Sequence, residues 1–253
     1  MIRRDGRHLD EARPLKISLD GLARVDASAR FSFGTSTAAL ASVSGPIEVR
    51  LASENPSQAT FDVSIRPLSS IPGIESKSLA SMIRAALLPS LILTTNPRTL
   101  IQLVIQALTP SYDAHSKWDN GLVTAMINAS TMALLNAGSI PMRGWVCAVA
   151  VARVDNAFFV DPSPEESAKV AGSGSGCFAF MFGHSVGRTP NEADFTCVWS
   201  NWRGSSGDED DVITARNLAK GSARRVWEAM KSSVGEEFKT NPDEPGDKEM
   251  GAS

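Results

Sequence analysis

The sequence is poor in the side chains that metal sites and disulfide frameworks require. Its 253 residues hold three cysteines and three histidines. The cysteines, Cys147, Cys177 and Cys197, are widely and unequally spaced inside apolar segments, which argues against a zinc site or a disulfide scaffold and predicts buried free thiols. The histidines have no Asp or Cys at ligand or triad spacing. We therefore expect no metal, no cofactor and no catalytic triad.

Long apolar runs are also missing. No stretch approaches the roughly 20 apolar residues that a membrane-spanning helix needs, and no apolar run follows residues 1–7. These absences predict an intracellular protein with no membrane partner.

An excess of charge of one sign is confined to the last residues. The net charge is −3, and residues 235–253 hold six acids against two lysines, so the rest of the chain is near +1. Such a body attracts phosphate weakly, and RNA binding would need a local cluster of cations or a partner's surface. Pro242 and Pro245 interrupt the polar end of the chain. We predict one domain over residues 1–234 and a disordered acidic tail over 235–253.

Alternating apolar residues and turn signals predict a series of strands. A turn at Gly34 separates the first two, and Gly45-Pro46 is expected to end the second. The predicted strands cover about residues 29–33, 37–43, 60–66, 99–108, 144–154, 157–160, 177–182 and 195–200.

Helices are predicted from apolar faces and end signals. An apolar stripe within residues 79–87 indicates a helix that packs on the sheet, and Gly138 ends a helix over about 121–136. Ser163 and Glu166 form a capping box for a short helix, and the acidic run 208–211 begins a closing helix over about 210–233. This order of elements predicts an α+β fold with mixed sheets and packed helices.

Short motifs in a fixed order resemble the RNase PH family. They comprise Arg4-Asp5-Gly6-Arg7, Asp10-Glu11, Arg13-Pro14, residues 26–31, 34–37 and 43–48, Arg66-Pro67, Ile71-Pro72-Gly73, Lys77-Ser78, Pro97-Arg98-Thr99, Asn128-Ala129-Ser130, Pro141-Met142-Arg143 and Asp161-Pro162-Ser163. Together they span about residues 3–170. The combination is most similar to the non-catalytic ring subunits of the eukaryotic, fungal-type RNA exosome core.

The resemblance implies a fold, partners and a location. The fold would be the RNase PH fold, which is similar to domain 2 of ribosomal protein S5. The partners would be other RNase PH-like ring subunits, RNA-binding cap subunits and single-stranded RNA in the channel. The role would be structural support of 3′-to-5′ RNA processing and degradation, including that of rRNA, in the nucleus, nucleolus and cytoplasm.

Two departures from the family pattern predict that the chain is not an enzyme. The family's phosphate-binding motif corresponds to residues 119–125, and its arginine is replaced by Val123. An isopropyl group cannot bind an oxyanion as a guanidinium does. Active members also carry an aspartate about a dozen residues after the position of Asp161, whereas Ser167 to Gly176 contains no acid. We predict no catalytic residues.

Other patterns leave alternatives open. By resemblance, Arg98, Arg84 and Arg66 are the candidate RNA-binding residues, although each could instead pair with a carboxylate. Glycines at 172, 174 and 176 precede a strand, so we interpret them as a connection and not a nucleotide loop. Glu165-Glu166 suits helix capping better than acid-base catalysis. The alternative functions are an active phosphate-dependent 3′-to-5′ exoribonuclease and a free-standing RNA-binding oligomer.

Overall fold

Two β-sheets and four α-helices make up the part of the chain that the computed structural model describes. That part comprises residue 3 and residues 5–19, 21–69, 71–111, 118–154, 157–167, 174–183, 195–204 and 209–240. The strands are β1 (Leu15–Ser18), β2 (Ala27–Phe33), β3 (Thr37–Glu48), β4 (Thr60–Arg66), β5 (Thr99–Ala107), β6 (Gly144–Val154), β7 (Ala157–Val160), β8 (Ser175–Gly183) and β9 (Phe195–Arg203). The helices are α1 (Ile74–Leu87), α2 (Asn120–Ala137), α3 (Pro164–Ser167) and α4 (Glu209–Thr240).

The first sheet has five strands in the order β1-β2-β3-β5-β4, and only the β4–β5 pair is parallel. The second sheet is antiparallel, in the order β7-β6-β8-β9. Buried and half-buried residues alternate along β3 because successive side chains point to opposite faces. The predicted α+β class with mixed sheets is confirmed.

Helix α2 lies between the two sheets, where it contacts β2 and β3 of the first and β6 and β8 of the second. All residues from Gly121 to Leu134 are buried, which explains why the helix is apolar on every side. Thr124 and Ser130 donate to carbonyls within α2, whereas its other two buried polar side chains bond to the backbone of β6. The Asn128 amide donates to the carbonyl of Ala148 (3.0 Å) and accepts from its N–H (2.7 Å), and Thr131 Oγ1 donates to the carbonyl of Val146 (2.7 Å).

The remaining long helices cover the sheets. Helix α1 packs on β4, and α4 packs on β6 and β8. Residues 146–152 of β6 are all buried, so both faces of this strand are covered. Cys147 and Cys177 are buried free thiols as predicted, whereas Cys197 is only half-buried. Burial raises the pKa of the Cys147 and Cys177 thiols.

Most predicted elements are confirmed, with corrections at their ends. The sequence patterns missed the short strand β1. Gly45-Pro46 does not end β3, which continues to Glu48 after a register shift between Ser44 and Ile47. Met82 is half-buried, whereas Leu79 and Ile83 belong to the core.

The closing helix is longer than predicted. It ends at Thr240, so residues 235–240 are helical and the predicted tail boundary at 235 is too early. The rest of the predicted tail, 241–253, lies outside the described residues. No helix in the described ranges is both long and apolar enough to cross a bilayer.

Gly176 lies where the paired strands β8 and β9 leave no room for a side chain. A Cβ at this position would lie 2.5 Å from the Asn201 carbonyl oxygen and 2.8 Å from the Trp202 Cα. Both atoms are backbone and cannot rotate away, so we expect Gly176→Ala to lower the free energy of unfolding by about 1–3 kcal/mol. Urea unfolding followed by circular dichroism measures the change.

The matched control for Gly176 is Gly221 in α4. A Cβ there would meet nothing within 4 Å. We expect Gly221→Ala to raise the free energy of unfolding by about 0.5–1 kcal/mol, because alanine loses less backbone entropy in a helix. Equal effects of the two substitutions would contradict the packing of the β8–β9 pair.

Candidate functional site

The site begins at the N-terminus of α2, where the family's phosphate-binding motif is expected. Asp119 is the N-cap, and its Oδ1 accepts a hydrogen bond from the Gly121 N–H (3.0 Å). A free helix N-terminus attracts anions because of its exposed N–H groups and its dipole. Here the buried Asp119 carboxylate already occupies that position. This end of α2 therefore needs an added cation to hold a phosphate.

Val123 does not supply that cation. It lies in the first turns of α2, is 4% exposed and belongs to the hydrophobic core. Residues 118–137 contain no lysine or arginine. The position that the resemblance assigns to the phosphate-binding arginine is therefore a packing position in this chain.

The fold brings Arg13 beside this helix end, which the sequence patterns did not predict. Its Nη2 lies 3.8 Å from where a Cβ on Gly121 would be. The guanidinium is held by Asp161 through Nε–Oδ2 (2.7 Å) and Nη2–Oδ1 (2.5 Å), and Nη1 donates to Ser36 Oγ (2.6 Å). Burial opposes the charge of Arg13, but the hydrogen bonds and charge of Asp161 outweigh burial and raise its pKa. Arg13 is therefore engaged within the protein.

Two further arginines join Arg13 in a cluster that we call the N-terminal arginine cluster: Arg3, Arg7 and Arg13 with Asp5, Asp161 and Glu166. Arg3 forms a two-pronged ion pair with Glu166 and donates to the Val160 carbonyl (2.7 Å). Arg7 Nε donates to Asp5 Oδ2 (2.6 Å). The cluster holds three cations and three carboxylates, so its charges balance. Its guanidinium groups join the first residues of the chain to the segment after β7.

The short helix α3 carries the predicted capping box. The Ser163 N–H donates to Glu166 Oε2 (2.8 Å), and the Glu166 N–H donates to Ser163 Oγ (3.4 Å). Burial acts to raise the pKa of Glu166, but hydrogen bonds and charge from Arg3, with help from Ser163, hold it below the ordinary value. The capping interpretation of Glu166 is confirmed, and its neighbour Glu165 is exposed.

The segment expected to lack a catalytic acid is described only at its ends. Ser167 ends α3, and Gly174 directly precedes β8, as predicted. Gly176, also predicted to precede the strand, is instead the second residue of β8. Residues 168–173, including Gly172, lie outside the described residues. In the rest of the chain that the structure describes, no group of three or more His, Cys, Asp or Glu is placed to hold a metal ion.

The three candidate RNA-binding arginines lie along β4. Arg98 precedes β5, is exposed and pairs with Glu54 (Nε–Oε1 3.3 Å). Arg84 on α1 donates from Nε to the Phe61 carbonyl near the start of β4 (2.8 Å). Arg66 is exposed at the end of β4. We call Arg66, Arg84 and Arg98 the arginine row. Because β4 and β5 run parallel, the arginine row extends for about 20 Å.

The motifs that carry the resemblance contained Asp5, Arg7, Arg13 and Asp161 of the cluster, but not Arg3 or Glu166, and they did not reveal the pairs. Arg13 and Asp161 are separated by 148 positions, and Arg3 and Glu166 by 163. One feature of the sequence could have indicated these pairs. The arginine-rich first residues and the segment Asp161-Pro162-Ser163 belong to the same motif series.

Comparison with known proteins finds relatives over most of the chain. The profile of the 3′ exoribonuclease family, domain 1 (RNase_PH), matches residues 11–139. Exosome complex component Rrp41 of Thermococcus onnurineus is 30% identical over 256 residues, covering 96% of this chain and 92% of the relative. Exosome complex exonuclease RRP46 homolog of Arabidopsis thaliana is 33% identical over 169 residues, covering 66% of each chain.

Solved structures share the fold. Rice (Oryza sativa) Rrp46 has a TM-score of 0.77 at 24% identity and covers 92% of this chain and 100% of its own. A chain of the Archaeoglobus fulgidus exosome with RNA bound to the active site has a TM-score of 0.69 at 20% identity, covering 90% of this chain and 92% of its own.

The lowered pKa of Glu166 predicts a dependence of stability on pH. A carboxyl whose pKa is lower in the folded state stabilises the fold above its unfolded-state pKa, and this contribution is lost as the pH falls through the folded-state value. We expect Glu166→Gln to be less stable than the parent chain at pH 7. The difference should shrink as the pH falls below about 4.5, the ordinary glutamate pKa. Urea unfolding between pH 3 and pH 7 measures it.

The neighbouring Glu165→Gln is the control for Glu166→Gln. Glu165 is exposed, and its carboxylate forms no ion pair with any residue that the structure describes. We expect its stability difference from the parent chain to stay small across the same pH range. If the stability difference between Glu166→Gln and the parent chain does not change with pH, Arg3 does not lower the pKa of Glu166.

Proposed function

Because the chain belongs to the RNase_PH family of 3′ exoribonucleases, we propose that it is a non-catalytic subunit of an RNA exosome core ring. In this role it supports 3′-to-5′ RNA processing and degradation by forming part of the wall of the RNA channel. The predicted family and the predicted RNase PH fold are confirmed by the profile match and the structural likeness. The relatives are named as exosome components, which supports a place in the ring.

One observation carries the proposed lack of catalysis. Val123 is buried in the core where the family resemblance places a phosphate-binding arginine. The guanidinium that the fold brings nearby, that of Arg13, is held by both oxygens of Asp161. Releasing it would take the nearest cation away from the buried Asp161 carboxylate, which would keep the more distant Arg7 Nη1 at 3.6 Å, and this loss is destabilising. Arg13 therefore does not replace the missing arginine.

The proposed partners follow from the same role. They are other RNase PH-like ring subunits, RNA-binding cap subunits and single-stranded RNA in the channel, with no membrane. We also propose that the chain resides in the nucleus, including the nucleolus, and in the cytoplasm. Fluorescence imaging of the tagged chain tests this location, and exclusion from the nucleus would contradict it.

The lack of catalysis is tested by phosphorolysis. The purified chain is incubated with single-stranded RNA, with and without phosphate and magnesium, beside an active enzyme of the same family. We expect no nucleoside diphosphates, because Arg13, the cation that the described part of the chain places beside the start of α2, is paired with Asp161. Phosphate-dependent release of diphosphates would establish the alternative, an active exoribonuclease. Purification of the tagged chain without other ring subunits, combined with tight RNA binding, would instead favour a free-standing RNA-binding oligomer.

RNA contact by the arginine row is a separate prediction. In the assembled ring, Arg98→Glu, Arg84→Glu and Arg66→Glu should each weaken binding of single-stranded RNA. The slope of log K against log salt should become shallower by roughly 0.7 for each lost phosphate contact. Fluorescence anisotropy at several salt concentrations measures it. Arg224→Glu, an exposed site on α4, is the control and should leave the slope unchanged.

A further inference from the structure

A groove runs between the edge strand β4 and helix α1. It has a volume of about 450 Å³ and is lined by residues 62–66 of β4, Pro72, and five residues of α1 (Ser76, Lys77, Ala80, Ser81 and Arg84). We propose that this groove binds an extended acidic segment of a partner protein, which adds as a strand to the free edge of β4. The proposal concerns a different surface from the α2 end and does not depend on the ring role.

The open edge of β4 is the first observation. In the first sheet, β4 pairs only with β5, so its other side carries backbone N–H and C=O groups that no strand of this sheet reaches. An added strand beside a helix is a known mode of peptide recognition, in which backbone hydrogen bonds supply affinity and side-chain pockets supply specificity. The five groove residues of β4 span about 17 Å, which suits a segment of about five residues.

The charge of the groove is the second observation. Arg66, Lys77 and Arg84 line it, against the single carboxylate of Asp62. Arg84 already holds the carbonyl of Phe61 at one end, which leaves the strand edge beyond it open. An excess of two positive charges favours acidic side chains on the incoming strand.

The start of α1 is the third observation. Its N-cap is Gly73, which provides no side-chain cap for the first N–H groups of the helix. Ser76 lies in this first turn and lines the groove at 2% exposure, and its hydroxyl has no hydrogen-bond partner among the described residues. A buried hydroxyl without a partner destabilises the fold. A carboxylate placed here would accept hydrogen bonds from the hydroxyl and from the helix N-terminus.

The apolar groups near the groove favour a protein segment over RNA. Val63, Ile65 and Ala80 line the groove. Leu68 and Ile71 are exposed in the segment that joins β4 to α1, and Ile74 is exposed at the start of α1. These side chains are aliphatic, and none of the residues that line the groove is aromatic. Single-stranded nucleic acids bind through bases that stack on aromatic rings, whereas aliphatic side chains suit the alternate apolar residues of a strand. The segment would compete with RNA for Arg66 and Arg84 and would leave Arg98 open to RNA.

The test uses the full chain and fluorescein-labelled octapeptides in fluorescence anisotropy. The probe alternates glutamate and valine, and its controls are an octapeptide of alternating lysine and valine and the acidic octapeptide with proline at a central position. We expect saturable binding of the acidic probe alone, because lysine meets like charge and proline removes a strand donor. Hydrogen exchange should slow at the amides of β4 when the acidic probe binds.

Three variants locate the binding. Lys77→Glu and Ser81→Trp change exposed positions of the groove, the first by charge and the second by filling space. Each should weaken binding of the acidic probe at least about tenfold, Lys77→Glu by replacing a charge-assisted contact with repulsion and Ser81→Trp by blocking the groove. Lys16→Glu, an exposed site on the edge strand β1 at the other side of the same sheet, is the control and should bind as the parent chain does.

Three outcomes would overturn the proposal. The first is no saturable binding of the acidic probe, and the second is equal binding of the lysine probe. The third is binding that survives both groove variants. If oligouridylate, and not the peptide, binds and is lost in Lys77→Glu and Ser81→Trp, the groove binds nucleic acid. Thermal unfolding of each variant confirms that it remains folded.

Discussion

The burial of α2 between the two sheets is the constraint on which the rest of the structure depends. A helix covered on every side can carry polar groups only where a partner is within reach, and Asn128 and Thr131 meet this condition by bonding to the backbone of β6. Small residues such as Ala125, Ala129 and Ala133 let the sheets approach closely. The same burial makes position 123 suitable for valine, since a guanidinium there would need a carboxylate or a bound anion.

The N-terminal arginine cluster shows that cationic motif residues can lie near the end of α2 and still be paired with carboxylates of the same chain. Each guanidinium is matched by a carboxylate. The pairs of Arg3 and Arg13 join residues that are far apart in sequence, whereas Arg7 pairs with the nearby Asp5. Removing one partner of a buried pair leaves the other uncompensated, so these arginines stabilise the fold. This account supports the proposed scaffold role, in which the motif residues preserve the fold that the ring needs.

Free strand edges link the fold to assembly. The strands β1, β4, β7 and β9 lie at the edges of their sheets, and an edge strand is a template for pairing with another chain. Among the described residues, the edge at β4 is accompanied by a groove, an excess of cations and a buried hydroxyl. A scaffold subunit needs such surfaces, because its contribution to RNA degradation lies in what it holds together.

The sequence alone determined the elements and the family. Local periodicity predicted β4 at its observed bounds and the end of α2 at Gly138, since alternation and left-handed glycine are properties of neighbouring residues. The motif series identified the replacement at Val123. Only the tertiary structure decided that Arg13 pairs with Asp161 and that Arg66, Lys77 and Arg84 share one groove. These pairings depend on how strands and helices pack together, and a pattern read along neighbouring positions carries no information about contacts between residues far apart in the chain.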